Sequence, residues 1–255
     1  MSAVTQAYVN FYSAIGTLCK YVEMDANAKE IAKKQNLTIR FDVKGGGPDG
    51  ILEFKDGAVS TRPYDGSSTS IHLISPNPDY FNKVVDGTAT PIPVKGIFKT
   101  LSFMSGAGNA FSTLTDEMGS VMRTGAYLDG TKAKDMCTIL SFYAMVAAIA
   151  QIGNVDKIGQ MAASRIPDGE ASMQITGHVS ISLTIKDHKL SFSTEPAKNP
   201  TAFMIFEDLD TAAGLISGEL DAMACLAKGT LTLKGLMPII DNVNKILNVV
   251  PTYLS

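Results

Sequence analysis

Few side chains in this sequence combine a reactive type with a useful spacing. Glu207, Asp208 and Asp210 form a tight acidic group that could serve acid-base or metal chemistry. A calcium loop needs oxygen ligands at fixed intervals and a glycine for its sharp turn, and that spacing is absent. A solvated helix start explains the group better, because negative charge is favoured there. His72, His178 and His188 fall on expected strands or their turns without a neighbouring nucleophile, and no HExxH or GxSxG pattern occurs. Cys19, Cys137 and Cys225 lie far apart, with no CxxC and no histidine at metal-ligand spacing. They read as buried thiols acting as small hydrophobes, and their sparsity suits a reducing cytoplasm. GGGPDG, Gly45 to Gly50, fits GxGxxG literally but contains Pro48 and runs into a strand, ILEF, where a dinucleotide loop must open a helix. It is expected to connect two strands. SGAGNAF, Ser105 to Phe111, lacks both the third glycine and the Lys-Ser/Thr of a P-loop and reads as a turn before a helix. The sequence thus offers no catalytic set, no metal set and no cofactor motif.

The elements that would position these residues occur twice. Sliding the sequence by 131 residues lays Ile51 to Gly87 on Ser182 to Gly218 without a gap over 37 positions. Lys55-Asp56 meets Lys186-Asp187, Asp79 meets Asp210, and Gly87 meets Gly218, while Phe54, Leu73-Ile74 and Val84-Val85 meet Ile185, Met204-Ile205 and Leu215-Ile216. Matched apolar phase over this length marks an internal duplication. SISLTIKDHKLSF and ILEFKDGAV each predict two half-buried strands around a tight turn, with Asp56-Gly57 the stronger hairpin signal. A third strand follows at Ser70 to Ile74 and at Ala202 to Phe206. A short helix is then expected to start at Asp79 or Asp210, whose carboxylate can cap it, and to end at Gly87 or Gly218.

Copy two continues with a short helix over Leu220 to Ala227, the strand TLTLKG and a helix from near Pro238. That last helix carries Ile239, Ile240, Val243, Ile246, Leu247 and Val250 on one face and Asp241, Asn242, Asn244, Lys245 and Asn248 on the other. In copy one the connection TATPIPVKG aligns as two residues shorter and carries Pro91 and Pro93, which disfavour a helical turn. Its closing helix uses Phe111, Leu114, Met118, Val121 and Met122. A helical stripe precedes the strands of copy one at Val4, Tyr8, Phe11, Tyr12, Ile15 and Cys19. The boundary is expected at Gly125 to Gly130, giving domains 1–125 and 126–255.

Composition narrows the function classes. Apolar residues make up 45% of the 255 positions and charged ones 18%, enough for a buried core and too little charge for disorder. The net charge of −3, with 22 basic residues scattered against 25 acidic, argues against a nucleic-acid partner. Met136 to Gly153 is uncharged and nearly long enough to span a bilayer. A helix buried between two packed units is the preferred reading, so no transmembrane span is expected. The opening segment lacks the pattern of a secretory signal, and the final YLS is not a peroxisomal signal, which leaves a cytoplasmic location. The twelve methionines suit adaptable apolar contacts as well as core filling.

The segment from Asn199 to Leu247 resembles the sterol carrier protein type 2 family. The resemblance rests on the strand AFMIF, an acidic-capped helix ending in SGELD, a further helical turn, KGTLTLKG and a closing amphipathic helix. It covers about residues 178–248, and copy one enters through the repeat. It implies an α+β fold of two sterol-carrier-like units, each a small, mostly antiparallel sheet covered by helices. It also implies a non-enzymatic protein that binds or transfers an apolar lipid, a fatty acid, acyl-coenzyme A, sterol or isoprenoid, in an internal cavity. On that reading Phe203, Ile205, Leu215, Leu231, Leu233, Ile240, Val243 and Leu247 line the site, with transient membrane contact allowed and the oligomeric state open. The alternatives are a structural or protein-interaction module with a filled cavity, or a non-catalytic accessory to lipid or isoprenoid enzymes.

Overall fold

In the computed structural model, which describes residues 1–104, 109–123 and 132–254, the chain divides into unit 1, Met1–Arg123, and unit 2, Thr124–Ser255. The expected boundary at Gly125 to Gly130 lies outside the described residues.

Unit 1 opens with α1 (Ala3–Val9), a π-helical turn (Asn10–Ile15), α2 (Leu18–Met24) and α3 (Ala26–Lys33). There follow β1 (Leu37–Val43), β2 (Asp49–Lys55), β3 (Ala58–Pro63), β4 (Ile71–Ser75), α4 (Pro78–Val85), β5 (Ile92–Lys95), α5 (Ile97–Met104) and α6 (Ala110–Arg123). Unit 2 runs through α7 (Lys132–Val155), α8 (Lys157–Ala163), β6 (Gly169–Ile175), β7 (Val179–Lys186), β8 (Lys189–Ser193), β9 (Ala202–Phe206) and α9 (Leu209–Ser217). It closes with α10 (Ala222–Lys228), β10 (Leu231–Gly235), α11 (Met237–Leu247) and α12 (Pro251–Leu254).

The two sheets share one topology, β3-β2-β1-β4-β5 and β8-β7-β6-β9-β10. Within each, one central pair is parallel, β1 with β4 and β6 with β9, and the other neighbours are antiparallel. The 131-residue offset carries Ile71–Ser75 onto Ala202–Phe206, and the hairpins and first helices coincide with it. Both hairpin turns place two successive residues at positive φ, Asp56 and Gly57 at 52° and 80°, Asp187 and His188 at 49° and 60°. That geometry matches the twist of the flanking strands, and copy two adopts it without glycine. The GGGPDG segment supplies the connection between β1 and β2.

Several local expectations shift. The caps of α4 and α9 are Asn77 and Asp208, two residues earlier than Asp79 and Asp210, and accept from Tyr80 N at 2.8 Å and Thr211 N at 2.7 Å. Asp79 and Asp210 stand in the first turn instead, where their charge faces the free N–H groups. The stripe of the first helix is broken by the π turn, whose extra residue rotates the succeeding helical turns. Phe11 and Ile15 are buried, while Tyr8, Tyr12 and Cys19 are only partly covered. Asn242, expected on the polar face of α11, is buried and donates to Pro238 O at 2.8 Å. Eight residues separate Gly87 from Gly96 and sixteen separate Gly218 from Gly235, so the copy-one connection is eight shorter, not two, the length of α10 with its cap.

α7 is buried along most of its length from Cys137 to Gly153, with Leu140, Phe142, Val146, Ile149 and Ile152 sealed from solvent. Within unit 2 it packs on α8, α9, α11, β7 and β8, and Phe142 meets Phe206 edge-on at 5.4 Å. Its length and apolar character would suit a span, yet 78% of that window is buried in protein.

Candidate functional site

Strand alternation and register decide which side chains of unit 2 can share a site. β6 alternates Glu170, Ser172 and Gln174 with Ala171, Met173 and Ile175, so only the second set suits an apolar face. Register places Met173 opposite Met204, Met204 opposite Leu233, Ile175 opposite Phe206, and Phe206 opposite Leu231. α11 covers this face. Its Ile239, Ile240, Val243 and Ile246 are buried, and Pro238 in its first turn needs no N–H partner.

Between α11 and the β6–β9 pair runs an apolar cleft of about 10 Å³, bordered by Met173, Ala202, Met204, Ile239, Ile240 and Val243. That is about the room of one water. Packing otherwise fills the interface.

Of the sequence-derived lining residues, Phe203, Ile240 and Val243 border this cleft, whereas Leu231 and Leu233 share the sheet face under α11 by register but do not border it. Phe203 and Ile205 alternate with that face along β9. Their register partners are Ser172 and Gln174 on one side and Lys234 and Thr232 on the other, so their side chains stand on the face opposite α11, although Phe203 also borders the cleft. Lys234 Nζ lies 4.8 Å from the Phe203 ring centroid. Leu215 and Leu247 are partly exposed and lie outside the cleft. Sequence reasoning missed Met173, Ala202, Met204 and Ile239. AFMIF is apolar at every position and carries no phase of its own; the signal was in GEASMQI, whose polar alternation fixes the phase of its neighbour.

The corresponding face of unit 1 is filled by aromatic side chains, with Phe41 5.3 Å from Phe11 and 6.1 Å from Phe81. A wider, open cleft of about 590 Å³ lies elsewhere in unit 1, between α3, the start of β1, α5 and α6, with Leu37 and Phe103 beside Lys34, Lys99 and Asn109. Asn109, from the SGAGNAF turn, caps α6 by accepting from Ser112 N at 2.8 Å; Ser105 to Gly108 fall outside the described residues.

Titratable groups gather on the polar face of the unit 1 sheet. Arg40 holds Asp49 through two bonds of 2.8 and 2.6 Å and stacks on Tyr64 at 3.7 Å. Asp42 receives Lys44 at 2.8 Å, His72 at 3.3 Å and Arg40 at 3.5 Å. Burial works to raise the Asp42 pKa, but the hydrogen bonds from Lys44 and His72 and the charges of Lys44 and Arg40 outweigh it and hold it below the usual value. A general base works best near the operating pH, so this carboxylate is suited to ion pairing. His178 and His188 are exposed in turns.

In the acidic group, Asp208 is spent on its cap, Asp210 pairs with Lys134, and Glu207 is exposed. Burial pushes the Cys19 thiol up to about 11, which removes nucleophilic thiolate at neutral pH. Cys137 and Cys225 are buried. Among the described residues no three His, Cys, Asp or Glu side chains gather as metal ligands.

No family model matches the chain, and no curated protein matches it. Solved structures align with parts of it, three of them as follows. A UbiJ-SCP2 ubiquinone synthesis protein aligns over 41% of this chain and 93% of its own at 16% identity, TM-score 0.32. Sterol carrier protein domain 2 of Helicoverpa armigera covers 42% and 86% at 12% identity, TM-score 0.35. Apo sterol carrier protein 2 from Yarrowia lipolytica covers 37% and 86% at 14% identity, TM-score 0.28.

Proposed function

We propose that the chain binds or transfers an apolar lipid, a fatty acid, acyl-coenzyme A, sterol or isoprenoid, in a reducing compartment such as the cytoplasm and without converting it. The observation that carries this reading is the seam under α11. It is apolar on both walls, and it is closed by Met173 and Met204, whose flexible side chains can re-pack around an inserted chain. The motif resemblance of residues 178–248 supports the same reading. With about 10 Å³ free, a lipid enters only as α11 moves outward. Each buried methylene contributes about 0.8 kcal/mol, close to a fourfold gain in affinity. Titrating the protein with fatty acids from about eight to about eighteen carbons should therefore give affinity that rises with length.

The near-absence of free volume favours a second reading, a filled fold serving as an interaction module or as a non-catalytic accessory to lipid enzymes. Flat or absent binding across the series selects that reading and removes the first.

A further inference from the structure

The end of each sheet's last strand carries the same four-residue pattern. Lys95-Gly96-Ile97-Phe98 begins on the last residue of β5, and Lys234-Gly235-Leu236-Met237 on the last two of β10. Both glycines have positive φ, 75° and 104°, and both press against a neighbouring backbone carbonyl, where an added Cβ would stand 2.4 Å from Ser70 O or 2.2 Å from Thr201 O. Only glycine can turn the chain there. The turn throws the next two apolar side chains outward, and all four are exposed.

The copy in unit 1 is the more developed. α5 is held to its unit by Thr100 and Phe103, which are buried, and Phe103 meets Phe54 edge-on at 5.1 Å. That anchor leaves Ile97, Phe98 and Leu101 on the outer side at 53%, 88% and 54% exposure, continuous in sequence with exposed Ile92 and Val94 of the edge strand β5. Lys95 and Lys99 flank them, and no Asp or Glu occurs between Asp86 and Asp116.

We propose that this β5–α5 corner docks the protein on a lipid surface bearing anionic headgroups. Three observations select that occupant. An adding protein strand would need donors along β5, and Pro93 has none. A groove-seeking peptide would need a hollow, whereas Phe98 projects almost wholly into solvent. A protruding aromatic and two aliphatic side chains beside Lys99 and Lys95, the latter also donating to Thr69 O, match the bilayer interface, apolar below and negatively charged above. The proposal does not depend on a cargo site under α11.

The chain has no tryptophan, so Phe98→Trp introduces a single reporter. Its emission is expected to shift to the blue when vesicles of phosphatidylcholine with about a third phosphatidylglycerol are added. In co-sedimentation with the same vesicles, Phe98→Ser should lower binding by about tenfold or more. Lys99→Glu should lower binding to the charged vesicles, while Met161→Ser, an exposed apolar residue of α8, should leave it unchanged. Unchanged circular dichroism confirms that each variant is folded. Absence of a blue shift, or wild-type binding that Phe98→Ser does not weaken, overturns the proposal. An equal loss in Met161→Ser overturns it in favour of non-specific adsorption. A concentration-dependent dimer abolished by Phe98→Ser, without vesicle binding, overturns it in favour of a second copy.

Discussion

Val243 and Asp42 are nearly sealed from solvent and respond to charge in opposite ways. Val243 sits in the α11 seam with no polar partner. Val243→Glu should therefore cost about 3–5 kcal/mol, seen as a lowered urea midpoint, whereas Asn248→Glu at the exposed C-cap of the helix should cost no more than about 1 kcal/mol. A Val243→Glu midpoint near that of wild type would mean that the seam admits water. Asp42 is already charged and partnered. Its folded pKa is depressed, so its contribution is complete above the ordinary carboxylate value of about 3.9 and is lost as pH falls through the lower folded value. Asp42→Asn should destabilise by about 1–3 kcal/mol at neutral pH and should flatten the fall in urea midpoint on the acid side. Neither environment was fully legible in the sequence. Val243 could be placed because α11 alternates apolar and polar residues at helical spacing. Arg40 and Lys44 fall on the same side as Asp42 by strand alternation, but its pairing with His72 could not be placed, because it needs the parallel register of β1 on β4.

At the level of elements, the helix starts test how closely local chemistry fixes structure. Asp208 accepts from the first turn of α9, whereas Asp210 is exposed and holds only Lys134. Asp208→Ala should cost about 1 kcal/mol and Asp210→Ala no more than a few tenths, measured by denaturant titration. Equal costs would reassign the cap. The sequence pointed to an acidic cap for this helix but placed it two residues late, because several acids crowd the site. The hairpins were more legible, since Asp56-Gly57 supplies the positive φ directly. The first helix was less so, since a π turn leaves no compositional mark. The closing helix of unit 1 was only half readable. The contacts that α11 makes alone, with the strands and with the preceding helices, are divided between α5, on β4 and β5, and α6, on α2 and α3. Phe111, Val121 and Met122 of α6 are accordingly only partly covered, while Leu114 and Met118 are buried.

For the whole chain, the duplication was the most legible feature, because turn residues and apolar phase recur at one offset through three strands and a helix. The offset also marked where the copies part but misjudged by how much, two residues where the difference is eight. The parting comes after Gly87 and Gly218, where unit 2 inserts α10 and unit 1 does not. Two sheets of one topology in one chain carry a hazard during folding, since a final strand can pair with the wrong copy. β5 and β10 are the segments that could trade places. β10 pairs with β9 along five residues in unbroken register, whereas β5 meets β4 across a register shift at His72/Leu73 and presents Pro93 opposite Leu73. Laid on β9, β5 would leave a carbonyl without its donor. Four residues long and short of one donor at Pro93, β5 offers any partner fewer ladder hydrogen bonds than the five-residue β10 does, so an exchange of the two would cost unit 2 part of its edge.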